Sequence, residues 1–374
     1  MDKETAKTKP GFFTAIAKCL VVVGTLVLCL AVLEVGLRAT GRYRIGSVGG
    51  LWEQGGVSYR LKRNVSKRLE WPSMSFTVHT DDLGFRYKRT GPRSLEGKRY
   101  WAVLGSSDVF GNGLDYEQTF IGVLGEKLEH DGIDVVNMGV GGQHFLEQKS
   151  IFEAFAASTT TRPEKVIVVF NALLVGGYDD IHQNTTIKMG ELYPKDGWIL
   201  PLAKATLSDL SADYRFFRDK IRNAQMKYFA HDDFSLSFYV ERYSTKHPIR
   251  TAEKTEDFLR QVRDLEQRIR GLGATPVCVY SPTVGGFLLN KLKAEGKLDG
   301  SLFDTEFFVD LARKHCAAEG IQFVNLEPTL QKKYDKGDKL NFDADAHFNG
   351  PTSRAIGEYL YDALRPKGEA NSTH

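Results

Sequence analysis

The chain has 374 residues, enough for one large or two modest domains, and 42% of them are hydrophobic, enough for a globular core. Fifty basic residues against 47 acidic ones leave a net charge of only +3, and the basic residues are scattered. That balance argues against nucleic acid as a partner.

Residues 1–11 read as a short polar tail. Residues 12–35 are apolar apart from Lys18 and Glu34, and roughly 20 apolar residues span a bilayer as a helix. Lys18 lies near the start, where its ammonium can snorkel to the interface. A cleaved signal peptide is the rival reading, but its apolar core is usually about 7–15 residues with a small-x-small cleavage site, and no such site precedes Glu34. An uncleaved anchor is therefore expected, with the lipid bilayer as a partner through residues 12–35. Lys3, Lys7 and Lys9 precede the span and Arg38, Arg42 and Arg44 follow it, so charge alone does not orient it. Cys19 and Cys29 fall in the span. Cys278 and Cys316 are expected as two buried free thiols.

Residues 36–98 read as a juxtamembrane region. Gly49, Gly50, Gly55 and Gly56 mark loops, and 75–79 alternates like a strand. A core domain over 99–366 follows. Apolar runs at 100–104, 133–138, 165–170, 275–280 and 321–326 are continuous rather than alternating, as expected for strands of a parallel sheet covered on both faces. Helical patterns fall between them, at 116–130, 144–157, 253–270 and 303–318, and a last helix spans 352–365. The alternation predicts a three-layer α/β/α fold with a parallel sheet. Residues 174–252 form a long insertion. Its aromatic-rich segment from Tyr214 to Tyr243 fits either carbohydrate stacking or, more commonly, burial. Residues 367–374 read as a flexible tail.

Two stretches carry chemistry. The first runs from Ala102 to Leu114: a buried strand ends in Gly105, small residues Ser106 and Ser107 follow, and Phe110, Gly111, Asn112, Gly113 and Leu114 lead to a helix. A strand, a tight turn and an exposed hydroxyl lift a serine Oγ above the end of a sheet, where a base can reach it. The second runs from Leu340 to Gly350 and contains Asp343, Asp345 and His347. A histidine with a carboxylate two residues upstream can have its ring oriented as a general base requires. In an extended loop Asp343 and Asp345 both lie on the side of His347, but Asp343 is roughly 13 Å upstream at ~3.3 Å per residue, which favours Asp345.

Together these stretches resemble the opening and closing blocks of the SGNH (GDSL-like) hydrolase superfamily, over roughly residues 78–365. The resemblance implies a flavodoxin-like fold and Ser107, Asp345 and His347 as the catalytic triad. It also implies an oxyanion hole from the backbone N–H groups of Ser107 and Gly142, with Asn171 as a possible third donor. Residues 80–86 resemble a signature preceding the catalytic domain in anchored members, and such relatives imply an extracytoplasmic catalytic domain, periplasmic in a Gram-negative cell. Three departures stand out. Ser106 replaces the usual Asp before the nucleophile and is itself a minor candidate. Asn171 comes two places early in the third block. The closing motif has Asp-x-His spacing, as in the polysaccharide O-acetyltransferase branch.

The expected function is a membrane-anchored serine esterase acting on O-acyl, foremost O-acetyl, esters, with an acylated carbohydrate or other ester as substrate and with neither cofactor nor metal. An O-acyltransferase acting on a cell-surface or exported polysaccharide, supplied by a membrane acyl-donor partner, shares the first half-reaction. A non-catalytic or metal-binding surface protein, using Asp108, Asp343, Asp345 and His347, is the alternative from a different class.

Overall fold

The computed structural model describes residues 12–39, 50–71, 74–179, 185–188, 191–194, 239–342 and 345–365, with isolated positions at 199, 213, 217 and 220. Helix α1, Phe12–Ala39, stands in a unit separate from the sheet domain. Its stretch Ile16–Ala39 is long and apolar enough to cross a membrane, and none of its most apolar window is buried against protein.

The sheet domain opens with five short strands: β1 Trp52–Gly55, β2 Ser58–Leu61, β3 Ser66–Trp71, β4 Met74–Thr80 and β5 Arg86–Tyr87. Strand β6, Arg99–Leu104, follows, then α2 Ser107–Phe110, α3 Phe120–Glu129, β7 Ile133–Asn137, α4 Phe145–Ser158, β8 Lys165–Phe170 and α5 Ala172–Gly176. A two-stranded hairpin, β9 Thr185–Lys188 and β10 Glu191–Pro194, lies in the insertion. The chain closes with α6 Ala252–Gly271, β11 Thr275–Tyr280, α7 Val284–Ala294, α8 Phe307–Glu319, β12 Gln322–Asn325, α9 Glu327–Asp335 and α10 Gly350–Leu364.

Eight strands form one mixed sheet in the order β12-β11-β8-β6-β7-β5-β4-β3. The five from β12 to β7 are parallel; β5, β4 and β3 add antiparallel strands beyond β7. Numbered among themselves, the parallel strands run 2-1-3-4-5, the flavodoxin-like order. The five apolar runs read from sequence are these five strands. Residues 52–87, expected only to loop around one strand, carry the sheet's antiparallel extension and a separate hairpin, β1–β2. Their strands are short or alternate buried with exposed positions, so no continuous apolar run marks them.

Side chains along each parallel strand alternate between two cores, as the period of two requires. Trp101, Val103, Ile167, Val169, Val277 and Val279 meet α3, α7, α9 and α10 on one face. Tyr100, Ala102, Leu104, Val168, Phe170 and Cys278 meet α4, α6 and α8 on the other. This is the three-layer arrangement. The expected helix at 116–130 is broken at Thr119, whose hydroxyl accepts from Gly122 N–H at 2.9 Å and caps α3; a short 3-10 turn precedes it. Helices α7 and α9 were not expected. Within the aromatic-rich segment, Tyr239 and Tyr243 are buried core residues; residues 214–216, 218–219 and 221–238 lie outside the described residues. Cys278 and Cys316 are free and buried.

Candidate active site

In a sheet of this order, ligands bind at the carboxyl ends of the strands, where the chain reverses its direction of winding, here between β6 and β8. Ser107 follows β6 and Asn171 follows β8. Ser106 is the residue before α2, and Ser107 is its first residue, so the Ser107 N–H is one of the orphan donors of a helix start.

The segment after β7 is held directly against this helix. Asn137 Nδ2 donates to Val109 O at 2.8 Å, while Asn137 Oδ1 accepts from Gly139 N–H at 2.9 Å. Val140 N–H donates to Gly105 O at 3.2 Å. Gly139 is required by close approach: a Cβ there would sit 2.4 Å from Phe110 N. Gly141 then lies beside the serine, where a Cβ would come 3.9 Å from Ser107 Cβ and 3.6 Å from Asn112 Nδ2.

The loop before α10 folds back on itself. Asn349 N–H donates to Leu340 O at 3.0 Å, and Asn349 Oδ1 caps α10 by accepting from Thr352 N–H at 3.0 Å. Asn341 Nδ2 donates to Asp345 O at 2.7 Å. One oxygen, Asp345 Oδ1, accepts from His347 N–H at 2.8 Å and lies 2.5 Å from His347 Nδ1. The carboxylate thus reaches the ring through a local turn of the kind Asp side chains stabilise, not along an extended segment. Asp343 lies outside the described residues.

His347 Nε2 faces Asn112 Nδ2 at 3.3 Å. An amide nitrogen donates, so Nε2 accepts and Nδ1 carries the proton given to Asp345: the tautomer of a general base. Burial pushes the imidazole pKa down, but the Asp345 hydrogen bond and the charges of Asp108 and Asp345 outweigh it and leave His347 above its usual value. Among the described residues Ser107 Oγ makes no hydrogen bond to His347; Asn112 holds that position. Asp108 is half-buried, and desolvation raises its pKa, with Asp345 adding to the rise and His347 and Asn171 opposing it.

Asn171 Nδ2 donates to Asp108 Oδ2 at 3.1 Å, and its Oδ1 accepts from Leu174 N–H at 2.7 Å as the cap of α5. The carbonyl end of that amide is thus taken up by the helix cap, while its nitrogen keeps a second N–H beyond the one given to Asp108. Ser107 N–H and Gly142 N–H donate to no other group among the described residues. Within the same residues no group of three or more His, Cys, Asp or Glu side chains is placed to hold a metal ion. A cavity of about 340 Å³ lies at the opposite, amino-terminal end of β6 and β7, lined by Tyr87, Arg99, Tyr116 and Glu129, and takes in none of these groups.

Arg86 was legible as part of a motif but carried no expected role. Its guanidinium is fully buried and donates to the carbonyls of Phe110, Gly111 and Leu114, fixing the loop that carries Asn112. Asp81, at the head of the same motif, accepts from Leu83 and Phe85 N–H and pairs with Arg93 at 3.2 Å. Asn112 itself had no signal beyond its place five residues after Ser107.

The parallel-strand order, the glycine–serine turn after the first core strand and the Asp–His loop before the last helix lie where the sequence resemblance expects them. The strand order is the flavodoxin-like one that the resemblance to SGNH hydrolases implies. No family model matches the chain, and no curated protein matches it either. Solved structures do. A member of the lipolytic G-D-S-L family from Veillonella parvula is 9% identical, with 71% of this chain and 97% of that one covered and a TM-score of 0.39. The esterase EstA from Pseudoalteromonas is 11% identical, covering 71% and 96%, with a TM-score of 0.39. The acetyl xylan esterase AlAXEase is 12% identical, covering 71% and 99%, with a TM-score of 0.41.

Proposed function

We propose that this chain is a membrane-anchored serine esterase of SGNH type that cleaves O-acyl, foremost O-acetyl, esters outside the cytoplasm. The observation that carries this reading is His347, held by Asp345 as a base-form imidazole beside the helix start that bears Ser107. Asn112 withdraws from Nε2 and Ser107 Oγ takes its place, a tightening common when substrate binds. Ser107 Oγ then attacks the acyl carbonyl as its proton passes to Nε2, and Asp345 stabilises the imidazolium. The oxyanion accepts from Ser107 N–H and Gly142 N–H. Asn171 can join through the second N–H of its amide, the first being given to Asp108. Collapse of the tetrahedral intermediate expels the alcohol, which takes the proton from His347. Water, activated by the same imidazole, releases the acid. Residues 12–35 anchor the protein.

The Asp-x-His spacing favours one further reading, in which a polysaccharide hydroxyl replaces water and a membrane protein supplies the acyl group. Product analysis with and without polysaccharide separates the two. The nucleophile is tested in the full-length protein in detergent. Ser107→Ala abolishes p-nitrophenyl acetate hydrolysis and fluorophosphonate labelling, while Ser106→Ala keeps both. The reverse pattern would move the nucleophile to Ser106.

A further inference from the structure

The hairpin β1–β2 carries Tyr59, which is 3% exposed. The Tyr59 hydroxyl donates to Gly141 O at 2.9 Å. Its backbone carbonyl accepts from Gln143 Nε2 at 2.5 Å; Gln143 Oε1 accepts from Gln148 Nε2 at 2.8 Å; and Gln148 Oε1 accepts from Gly105 N–H at 3.2 Å. Gln143 and Gln148 are both buried. The chain of bonds therefore ties the hairpin to the turn that presents Ser107 and to the Gly141–Gly142 peptide. Trp52, across the hairpin, packs edge-on against the Tyr59 ring at 5.2 Å and lies 6.4 Å from the ring of Phe110 in α2.

A trans peptide points its C=O and N–H in opposite directions. Whatever holds the Gly141 carbonyl therefore sets the direction of Gly142 N–H. Gly142 has φ +80°, a conformation only glycine adopts freely, and a peptide between two glycines flips with little steric resistance. Sequence offers nothing at 141 or 142 to fix it. Tyr59 supplies the restraint from 82 residues away. Burial, with the charge of Glu147 adding to it, raises the phenol far above its ordinary pKa, so the hydroxyl stays a donor throughout the working range.

We propose that Tyr59 is a positioning residue for the oxyanion hole: it clamps the Gly141 carbonyl so that Gly142 N–H stays turned toward the acyl oxygen on Ser107. This rests on the reading of Ser107 as nucleophile and Gly142 as oxyanion donor given above. It also gives one residue of the segment between the apolar helix and the sheet, Tyr59, a role in the site.

The test is Tyr59→Phe in the full-length protein, which keeps the ring and removes only the hydroxyl. Losing one oxyanion donor typically costs about 10²–10³ in kcat, and a misoriented donor is expected to cost roughly 10- to 100-fold. KM for p-nitrophenyl acetate should stay within about twofold, because the donor acts on charge that develops only in the transition state. Fluorophosphonate labelling should slow in parallel, since it builds the same oxyanion. Trp52→Phe, which disturbs the hairpin without touching the hydroxyl, should leave kcat unchanged. A Tyr59→Phe protein with wild-type kcat, or an equal loss in Trp52→Phe, overturns the proposal while leaving the nucleophile intact. If Ser107→Ala retains hydrolysis, the underlying reading fails and the Tyr59 assignment falls with it. A crystal structure of Tyr59→Phe gives a readout independent of activity: an unmoved Gly141 carbonyl would also sink the assignment.

Discussion

At the scale of the residue, His347 determines how this site responds to pH. Its folded pKa lies above the usual value, and in the proposed mechanism only the neutral ring can accept a proton from Ser107. The acid limb of kcat/KM should therefore have a midpoint above the ordinary histidine value of about 6.5. Asp345→Asn removes the hydrogen bond and charge that raise the pKa, so the midpoint should fall, and kcat should drop on the order of 10⁴-fold through the wrong tautomer. Asp108→Asn removes a charge but no hydrogen bond to the ring. Its midpoint should move in the same direction with a far smaller loss of kcat. A pH–rate profile for the three proteins checks both signs; an unchanged midpoint in Asp345→Asn would remove that residue from the site. Arg86 is the other decisive single side chain. Burial pushes its pKa down to about 10, so it is still charged at neutral pH, and it donates to three main-chain carbonyls. Replacing it by Met strands those acceptors at about 1–3 kcal/mol each, roughly 3–9 kcal/mol together. Urea unfolding should show that loss.

At the scale of the element, the site depends on two backbone segments meeting without side chains between them. Gly139 passes so close to Phe110 N that a methyl group has no room. Gly139→Ala should cost roughly 1–3 kcal/mol as overpacking, and activity should fall with it as Ser107 and Gly142 separate. Gly125 is the contrasting case in α3: an added Cβ meets only Val135 at 3.7 Å, an ordinary contact. Gly125→Ala should be neutral or stabilising by up to about 1 kcal/mol, because alanine is the better helix former. Thermal denaturation of the two variants distinguishes crowding from glycine content.

At the scale of the whole molecule, the sheet does not begin where the apolar strand pattern begins. Strands β3, β4 and β5 cover the edge of β7, and Tyr59, Asp81 and Arg86 all come from residues 52–87. A chain starting at residue 99 should thus expose a strand edge, lose three anchoring side chains and be recovered as insoluble, inactive protein. A chain starting at residue 45 should be soluble and active; recovery of active protein from the shorter chain would show the extension to be dispensable. The anchor is checked separately. Full-length protein should resist carbonate extraction and keep its amino terminus, and a carboxyl-terminal alkaline phosphatase fusion should be active. Cleavage after the apolar stretch, or an inactive fusion beside an active cytoplasmic reporter, would overturn the anchor or its orientation.

The sequence by itself determined the apolar helix, the five parallel strands, the helices α3, α4, α6, α8 and α10 that lie over them and the two short blocks bearing Ser107 and His347. Each of these is written locally, as an apolar run, a helical period or a spacing of two residues. Tertiary structure alone decided which polar groups meet at the proposed site. Asn171 gives one amide N–H to Asp108 and accepts Leu174 N–H at Oδ1, which leaves its second N–H as the donor it can offer. Asn112 stands at His347 Nε2 across 235 residues. Tyr59 meets Gly141 because β1–β2 folds onto the helix start, and Arg86 meets Phe110 because β5 pairs with β7. A buried hydrogen bond needs its partner to within a few tenths of an ångström. That is fixed by how the chain returns to one place from distant positions, and no local pattern of residues encodes it.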